Sequence, residues 1–264
     1  MSFHAGMSKV TGDIHPSDSY LRVEAIPSVW CSGCGIGLVV HTFIQTLKYL
    51  RFDLNKLCVV SGLGCTGKIA EYLKLSSFQI THSNPIEYAE DFKLKNPNFT
   101  AVVFLNDVDF MVSGANDFIG AGKRKAGLCI IYINNFIYHI FIEGKVLAKT
   151  PFIGAPADSN VESPFNIPHL AKSCGAQYVA RWTLLHVRRL MYSITDALQR
   201  PNFSVIEVIA PCLMYFAGDG VMRKPLRRME YLYDNSMIKH GTPTENLDLR
   251  YQDKIIVGRF VDHE

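Results

Sequence analysis

The chain has 264 residues, 48% of them hydrophobic and 19% charged, which is typical of a globular protein that buries a full core as one large domain. The net charge is +3 and the basic residues are scattered, so the composition gives no reason to expect nucleic acid as a partner. Residues 1–19 lack the apolar core of a signal peptide, and no run is long enough to span a membrane; we therefore expect a cytoplasmic protein.

A pair of cysteines near the N-terminus is the first motif that carries chemistry. Residues 1–29 are polar and interrupted by proline in their second half, which predicts an N-terminal arm. Cys31 and Cys34 follow it, separated by two residues, so one tight turn supplies two corners of a metal site. The pair alone leaves zinc, a redox dithiol and a structural turn open. Seven cysteines in a cytoplasmic chain indicate ligands or buried side chains rather than disulfides.

Apolar runs and helical patterns then alternate along the chain. Strands are predicted at 57–60, 78–81, 100–105, 128–133, 177–180 and 204–210, and helices at 36–50, 85–95, 113–125, 166–174 and 185–199. A glycine-rich loop at 61–68 opens a further helical segment, and its spacing fits neither a P-loop nor a dinucleotide fingerprint. The alternation predicts an α/β fold, a parallel sheet covered by helices on both faces. Residues 213–264 look irregular, and we interpret them as a C-terminal extension that wraps the domain or forms an interface.

Four polar or thiol side chains each follow a predicted strand: Cys65, Asp107, Asn135 and Cys212. In a parallel sheet the carboxyl ends of the strands share one edge, and ligands bind there. We therefore expect these distant residues to converge. By contrast Cys58, Cys129 and Cys174 lie inside apolar strands or a helix, so we interpret them as buried small hydrophobic residues.

An ordered series of motifs resembles the β subunit of 2-oxoacid:ferredoxin oxidoreductases, and the 2-oxoglutarate branch in particular. The resemblance covers nearly the whole chain, from about residue 27 to about residue 261. Its motifs are W-C-x-G-C-G at 30–35, V-S-G-x-G-C-x-G-K at 60–68, D-x-D at 107–109, N-N-x-I-Y at 134–138, I-E-V-x-x-P-C at 206–212 and G-x-F-V-D at 258–262. The resemblance implies one domain with the pyrophosphate-binding thiamine diphosphate fold and one 4Fe-4S cluster. The implied cluster ligands are Cys31, Cys34, Cys65 and Cys212, with zinc as the alternative for such a tetrad.

The resemblance also implies a magnesium ion that holds thiamine diphosphate. Its implied ligands are Asp107, the amide of Asn135 and the carbonyl of Ile137, which are the hard oxygen donors that magnesium prefers. His82 is implied in the cofactor pocket, and Lys68 at a position that pairs with an acidic group of the 2-oxoacid. Ordinary alternatives remain for the side chains. Asp107 and Asn135 are also typical of a turn or a helix cap, Lys68 of a solvated lysine in the first turn of a helix, and His82 of a histidine satisfied by local hydrogen bonds.

The thiamine motif departs from the family pattern. Both glycines of its Gly-Asp-Gly are replaced, by Asn106 and Val108, and we expect Val108 to crowd the diphosphate because glycine lets backbone amides approach phosphate closely. Glu90 and Asp91 would add like charge there if they point toward the phosphates. Bulky residues replace most family glycines after Asn135.

The resemblance implies a subunit that works with an α subunit in oxidative decarboxylation of a 2-oxoacid. The acyl group would pass to coenzyme A and the electrons, through the cluster, to ferredoxin. Two alternatives stay open. In the first, the chain is a non-catalytic paralogue that keeps the cluster and the partner interface but has lost thiamine diphosphate binding. In the second, it is an enzyme with altered diphosphate recognition that acts on an unusual 2-oxoacid. Neither nucleic acid nor a membrane is expected as a partner.

Overall fold

An eight-stranded sheet forms the centre of the computed structural model, which describes residues 16–82, 84–137, 141–142, 145–146, 164–214, 224–250 and 253–263. The strand order is β2-β1-β3-β4-β8-β7-β10-β9. The strands are β1 Leu57–Ser61, β2 Ser76–Gln79, β3 Thr100–Asn106, β4 Leu128–Asn134, β7 Tyr178–Thr183, β8 Ser204–Ile209, β9 Ser236–Ile238 and β10 Ile255–Asp262. A separate hairpin pairs β5 Phe141–Ile142 with β6 Lys145–Val146.

The strands from β2 to β7 in this order run parallel. Every residue of β1, β4, β7 and β8 is buried. Strands that are buried along their whole length form where both faces of a parallel sheet are covered, so the sheet class predicted from the sequence is confirmed.

Helices pack on both faces of the sheet and enclose two cores. They are α1 Gly35–Leu50, α2 Gly64–Tyr72, α3 Pro85–Lys95, α4 Asp107–Asp109, α5 Ala115–Lys123, α6 Ile167–Cys174, α7 Val187–Leu198 and α8 Pro225–Asn235. One core holds Phe43 of α1 and Ile194 of α7, and the other holds Ile86 of α3 and Phe118 of α5. Among the described residues no helix combines the length and the apolar character that a membrane crossing requires.

The predicted irregularity after residue 213 is wrong for the described part of that segment. Helix α8 forms there, β10 pairs antiparallel with β7, and β9 pairs parallel with β10. The apolar run at 255–257 is thus only the start of an eight-residue strand. Of its later residues, Gly258 and Val261 are buried while Arg259 and Asp262 are exposed, and the strand covers what would otherwise be an open edge of β7. The boundaries of the domain and its two extensions otherwise stay a prediction.

A buried ion pair joins three neighbouring strands at the centre of the sheet. Arg181 Nε donates to Glu207 Oε2 at 2.5 Å, and both side chains are 0% exposed. The other oxygen, Oε1, accepts from Asn134 Nδ2 at 2.7 Å, while Arg181 Nη1 donates to the carbonyl of Leu247 at 2.8 Å. The pair therefore anchors the end of β4 and a segment of the C-terminal region to the same point.

Removal of the carboxylate from this pair tests its contribution to stability. We expect Glu207→Gln to lower the free energy of unfolding of the full chain by about 3 to 5 kcal/mol, because Arg181 would remain as an uncompensated buried charge. Urea denaturation measures the loss. The control is Asp262→Asn, which breaks the more exposed pair with Arg200 and should cost less than about 1 kcal/mol. Equal losses in both variants would contradict the expectation.

Candidate functional site

The carboxyl ends of β1 and β3 are bound to each other by side chains of the loops that follow them. Asp109 Oδ1 accepts from Leu63 N at 2.5 Å, and Asn106 Nδ2 donates to Leu63 O at 3.2 Å. The chain runs from β1 outward to β2 and then returns to β3 on the other side, so this point is the topological switch of the sheet, where α/β folds place their ligands.

The four cysteines predicted as cluster ligands converge at this edge. Cys34 caps α1 and its N–H donates to Cys31 O at 2.8 Å, which closes the cysteine turn. Trp30 Nε1 donates to Cys65 O at 2.8 Å and joins that turn to α2. Burial is the main cause that raises the pKa of Cys65, and the nearby Cys212 and Cys31 raise it further. The pKa of Cys34 is raised chiefly by burial and also by Cys65 and Cys212, so each of the four thiols lies near at least one other thiol of the set.

The spacing of these thiols matters for the kind of metal they suit. Among the described residues, no three His, Cys, Asp or Glu side chains stand close enough to bind a single metal ion. A 4Fe-4S cluster is a cube with one thiolate at each iron, so its ligands stand farther apart than those of one tetrahedral zinc ion. Four thiolates suit either a 4Fe-4S cluster or a zinc ion, and the cluster stays the prediction that the family resemblance implies.

A buried arginine that sequence reasoning missed lies beside the cysteine loops. Arg228 is 2% exposed, and it donates through Nη1 to Pro211 O at 2.6 Å and through Nη2 to Gly33 O. Its Nε has no hydrogen-bond partner, and none of the described carboxylates forms an ion pair with it. Burial lowers the pKa of Arg228, and Cys34 and Cys212 oppose that change. A buried cation of this kind fits a neighbouring anion, as a thiolate-bound cluster would be.

The residues predicted to hold magnesium also lie together. Asp107 is fully buried; its Oδ1 accepts from the Tyr132 hydroxyl at 2.7 Å, and its Oδ2 accepts from the N–H groups of Asn135 at 2.9 Å and Ile137 at 3.3 Å. Asn135 Oδ1 also accepts from Ile137 N at 3.2 Å. Burial raises the pKa of Asp107 to about 7, against the effect of these hydrogen bonds and with a contribution from Glu207. The Asp107 carboxylate and the Asn135 amide are hard oxygen donors of the kind that magnesium takes, and their role as ligands stays a prediction.

Asn106, one of the two replacements in the thiamine motif, has a structural role. Its side chain accepts from Asp109 N at 2.9 Å while Asp109 Oδ2 accepts from Asn106 N at 3.1 Å, which forms a capping box on α4. This cap explains why a helical turn begins at Asp107, before the predicted start at 113. Val108, the other replacement, follows β3 directly and is partly exposed.

The concern over Glu90 is resolved by an ion pair. Both oxygens of Glu90 accept from Arg124, at 2.6 Å each, beyond the C-terminal end of α5. The C-terminal end of α5 leads into the start of β4, and the starts of the strands lie at the edge opposite to the predicted diphosphate site. Glu90 therefore does not place negative charge at that site. Asp91, in the same helix, is exposed.

The roles predicted for His82 and Lys68 stay predictions. His82 is exposed and lies just beyond the carboxyl end of β2, on the same edge as the predicted cofactor site. Lys68 is partly exposed in α2, and its Nζ lies 2.5 Å from Glu71 Oε1. Tyr138, the last residue of the N-N-x-I-Y motif, lies outside the described residues.

The remaining cysteines are buried, as predicted. Cys58, Cys129 and Cys174 are between 0% and 4% exposed. Burial raises the pKa of the Cys58 and Cys129 thiols to about 12, so these groups stay protonated and unreactive.

Comparison with known proteins agrees with this arrangement. Residues 62–208 match the model of the thiamine pyrophosphate enzyme, C-terminal TPP binding domain. A 2-oxoglutarate synthase subunit KorB of Methanothermobacter marburgensis is 34% identical over 251 residues, which cover 94% of this chain and 87% of the relative. The corresponding subunit of Archaeoglobus fulgidus is 40% identical over 197 residues, 73% of each chain. The chain belongs to the family of 2-oxoacid:ferredoxin oxidoreductase β subunits.

Membership in this family makes the chain a subunit of an oxidoreductase complex and confirms the resemblance seen in the motifs. The fold also matches a solved 2-oxoglutarate:ferredoxin oxidoreductase from Magnetococcus marinus, with a TM-score of 0.77 and 18% identity over 96% of this chain and 86% of that one. Residues that motif reasoning did not single out as site residues are Tyr132, Glu207 and Arg228. Of these, only Glu207 had a signal, since it lies inside the I-E-V-x-x-P-C motif.

The close packing of β1 against the Asp109 carboxylate gives a test by glycine replacement. A Cβ at Gly62 would lie 2.1 Å from Asp109 Oδ1, so Gly62→Ala should displace the carboxylate from Leu63 N and lower the free energy of unfolding by at least about 2 kcal/mol. The control Gly37→Ala, in α1, meets only Trp30 at 3.8 Å and should stabilise the chain by up to about 1 kcal/mol. Urea denaturation compares the two, and a neutral Gly62→Ala would refute the packing argument.

Proposed function

We propose that the chain is the cofactor-binding β subunit of a complex that oxidises and decarboxylates a 2-oxoacid, with 2-oxoglutarate as the preferred substrate. Carbon dioxide leaves, the acyl group passes to coenzyme A, and two electrons pass singly to ferredoxin. One observation carries the proposal: the N–H of Cys212 donates to the carbonyl of Asn135 at 3.1 Å. This bond joins the loop of a predicted cluster ligand directly to the loop of a predicted magnesium ligand.

The names of the relatives support this choice of substrate class. Four of them, from methanogens and Archaeoglobus, are named 2-oxoglutarate synthase subunits, and the solved Magnetococcus complex contains 2-oxoglutarate, coenzyme A and succinyl-CoA. We further propose an α subunit as partner, which would contribute the pyrimidine half of the thiamine site, and a cytoplasmic location for the complex.

Within this function, Cys31, Cys34, Cys65 and Cys212 would hold a 4Fe-4S cluster. Their mutual proximity and the uncompensated charge of Arg228 support the assignment. Asp107, Asn135 and the Ile137 carbonyl would hold magnesium, whose charge would favour the ionised carboxylate against the effect of burial. When bound, thiamine diphosphate supplies the carbon nucleophile for the 2-oxo carbon and the cluster supplies one-electron steps.

The protein contributes by positioning these groups. Tyr132 and the backbone N–H groups of Asn135 and Ile137 bind both oxygens of Asp107 and hold the carboxylate in one orientation. Glu207 holds Asn134 through Oε1 and thereby fixes the start of the loop that carries Asn135. His82 and Lys68 would contact the cofactor and the substrate acid group, respectively.

A non-catalytic subunit that keeps the cluster is the alternative, and two observations favour it. Val108 occupies the position of a family glycine beside the predicted diphosphate, and it is partly exposed at that edge. In addition, Asp107 already has three protein hydrogen-bond donors, so its burial is satisfied without a metal. This subunit would transfer electrons or support a partner without thiamine.

The cofactor content of the complex distinguishes the two functions. We would purify the complex without oxygen, with its α subunit, and measure iron, sulfide and thiamine diphosphate per chain. The enzyme should contain about one equivalent of thiamine diphosphate together with the cluster, and 2-oxoglutarate should reduce the cluster when coenzyme A is present. Iron and sulfide without thiamine would identify the non-catalytic subunit, while absence of all three would reject both functions.

Replacement of one predicted ligand tests the cluster assignment. We expect Cys65→Ser to lose most of the cluster's visible absorbance and most of its iron, because one of four thiolates is removed. Cys174→Ala is the matched control, since Cys174 is buried in α6 and away from the site, and it should retain the spectrum. Full iron and sulfide content in Cys65→Ser would reject this cysteine as a ligand.

Replacement of Val108 tests whether this side chain limits cofactor binding. We expect Val108→Gly to tighten thiamine diphosphate binding by about tenfold, equivalent to ~1.4 kcal/mol, because it removes the side chain that crowds the phosphate. Isothermal titration of the complex in magnesium measures the affinity. The companion Val108→Ala removes most of the bulk but not the restriction on φ, so it separates the two effects. No gain in either variant would show that Val108 is not the obstacle.

A further inference from the structure

Helix α8 rests directly on the turn that carries Cys31 and Cys34. Gly33 in that turn has φ +80°, and a Cβ there would lie 2.5 Å from Cγ of Pro225, the first residue of α8. The turn therefore needs glycine for its conformation and for the close approach of the helix. This contact places the first turns of α8 against the predicted cluster site.

Arg228, one turn into α8, connects two loops that are remote in the sequence. Its guanidinium donates to Gly33 O in the cysteine turn and to Pro211 O, next to Cys212. One planar side chain thus holds two of the three loops that carry the predicted ligands, and its rigid fork fixes their separation.

The charge of Arg228 is uncompensated by protein groups in the described part of the chain. The side chain is 2% exposed, its Nε has no partner, and its two hydrogen bonds go to neutral carbonyls. Burial of an unpaired cation costs desolvation free energy, and an anion beside Arg228 would offset that cost. In the described part of the chain, Cys34 and Cys212 are the titratable groups that oppose the lowering of the Arg228 pKa.

We propose that Arg228 is a positioning residue that fixes the two cysteine loops and raises the reduction potential of the cluster. The inference rests on the proposed function, since it requires the cluster. Four thiolates make the cluster anionic, and reduction adds a further electron. A cation buried nearby stabilises the more negative, reduced state more strongly than the oxidised one, and low local dielectric strengthens the effect.

Variants of the intact complex separate charge from positioning. Arg228→Gln removes the charge and should shift the midpoint of a dye-mediated redox titration, followed by visible absorbance and electron paramagnetic resonance, to a more negative potential. Arg228→Lys keeps the positive charge but loses the guanidinium fork that binds both loops. Its midpoint potential should therefore stay close to that of the wild type, while part of the iron should be lost on dilution into chelator. Arg227→Gln is the control, because Arg227 is the neighbouring, exposed arginine paired with Glu230, and it should match the wild type in both measurements.

The outcomes that overturn the inference differ from those that overturn the proposed function. A wild-type complex without iron and sulfide rejects the cluster and this inference together. A loaded wild type with an unchanged potential and unchanged iron retention in both Arg228 variants rejects the inference alone. Circular dichroism shows whether Arg228→Gln folds, and a folded variant that loads no cluster supports the positioning role. In that case Arg228→Lys decides the electrostatic role. A reduction potential near that of the wild type supports the electrostatic role, and a strongly negative shift refutes it.

Discussion

The parallel pairing of β4 with β8 is the constraint on which the site depends. Its register sets Asn134 beside Ile209, so both strands end at the same height and the loops after them start side by side. The hydrogen bonds from Ala210 N to Asn134 O and from Cys212 N to Asn135 O continue this pairing beyond the strands. A predicted magnesium ligand and a predicted cluster ligand are therefore neighbours because of sheet geometry, although 77 positions separate their numbers in the sequence.

Buried charge organises the region around this pairing. Glu207 in β8 faces Asn134 on one side and Arg181 on the other, and Arg181 reaches the carbonyl of Leu247. Arg228 performs a similar task at the edge of the sheet, where it joins the cysteine turn to Pro211. The two arginines differ in one respect that bears on function: Arg181 has a carboxylate partner, whereas Arg228 has none among the described residues.

The two predicted cofactor sites differ in how far they keep the family pattern. The cysteine loops retain all four thiols and the glycine that α8 requires at position 33. In the thiamine loop, Asn106 has become a helix cap and Val108 remains at the open edge, while Asp107 and Asn135 keep their places. An enzyme with changed diphosphate recognition would keep the predicted magnesium ligands beside an altered loop, so the loss of glycine does not by itself imply loss of the cofactor.

The sequence alone determined the α/β class and most strands and helices, because hydrophobic periodicity is a local property. Its ordered motifs also predict the four cluster thiols and the magnesium ligands, and these stay predictions. It did not determine β9, β10 or the role of α8. Their sequences carry only short apolar runs and an arginine-rich stretch that resembles a solvated surface. The structure also decided that Glu90 pairs with Arg124 rather than approaching the phosphates, and that Arg228 is buried. Such outcomes depend on which distant backbone groups meet a side chain, and only the packed chain fixes those contacts.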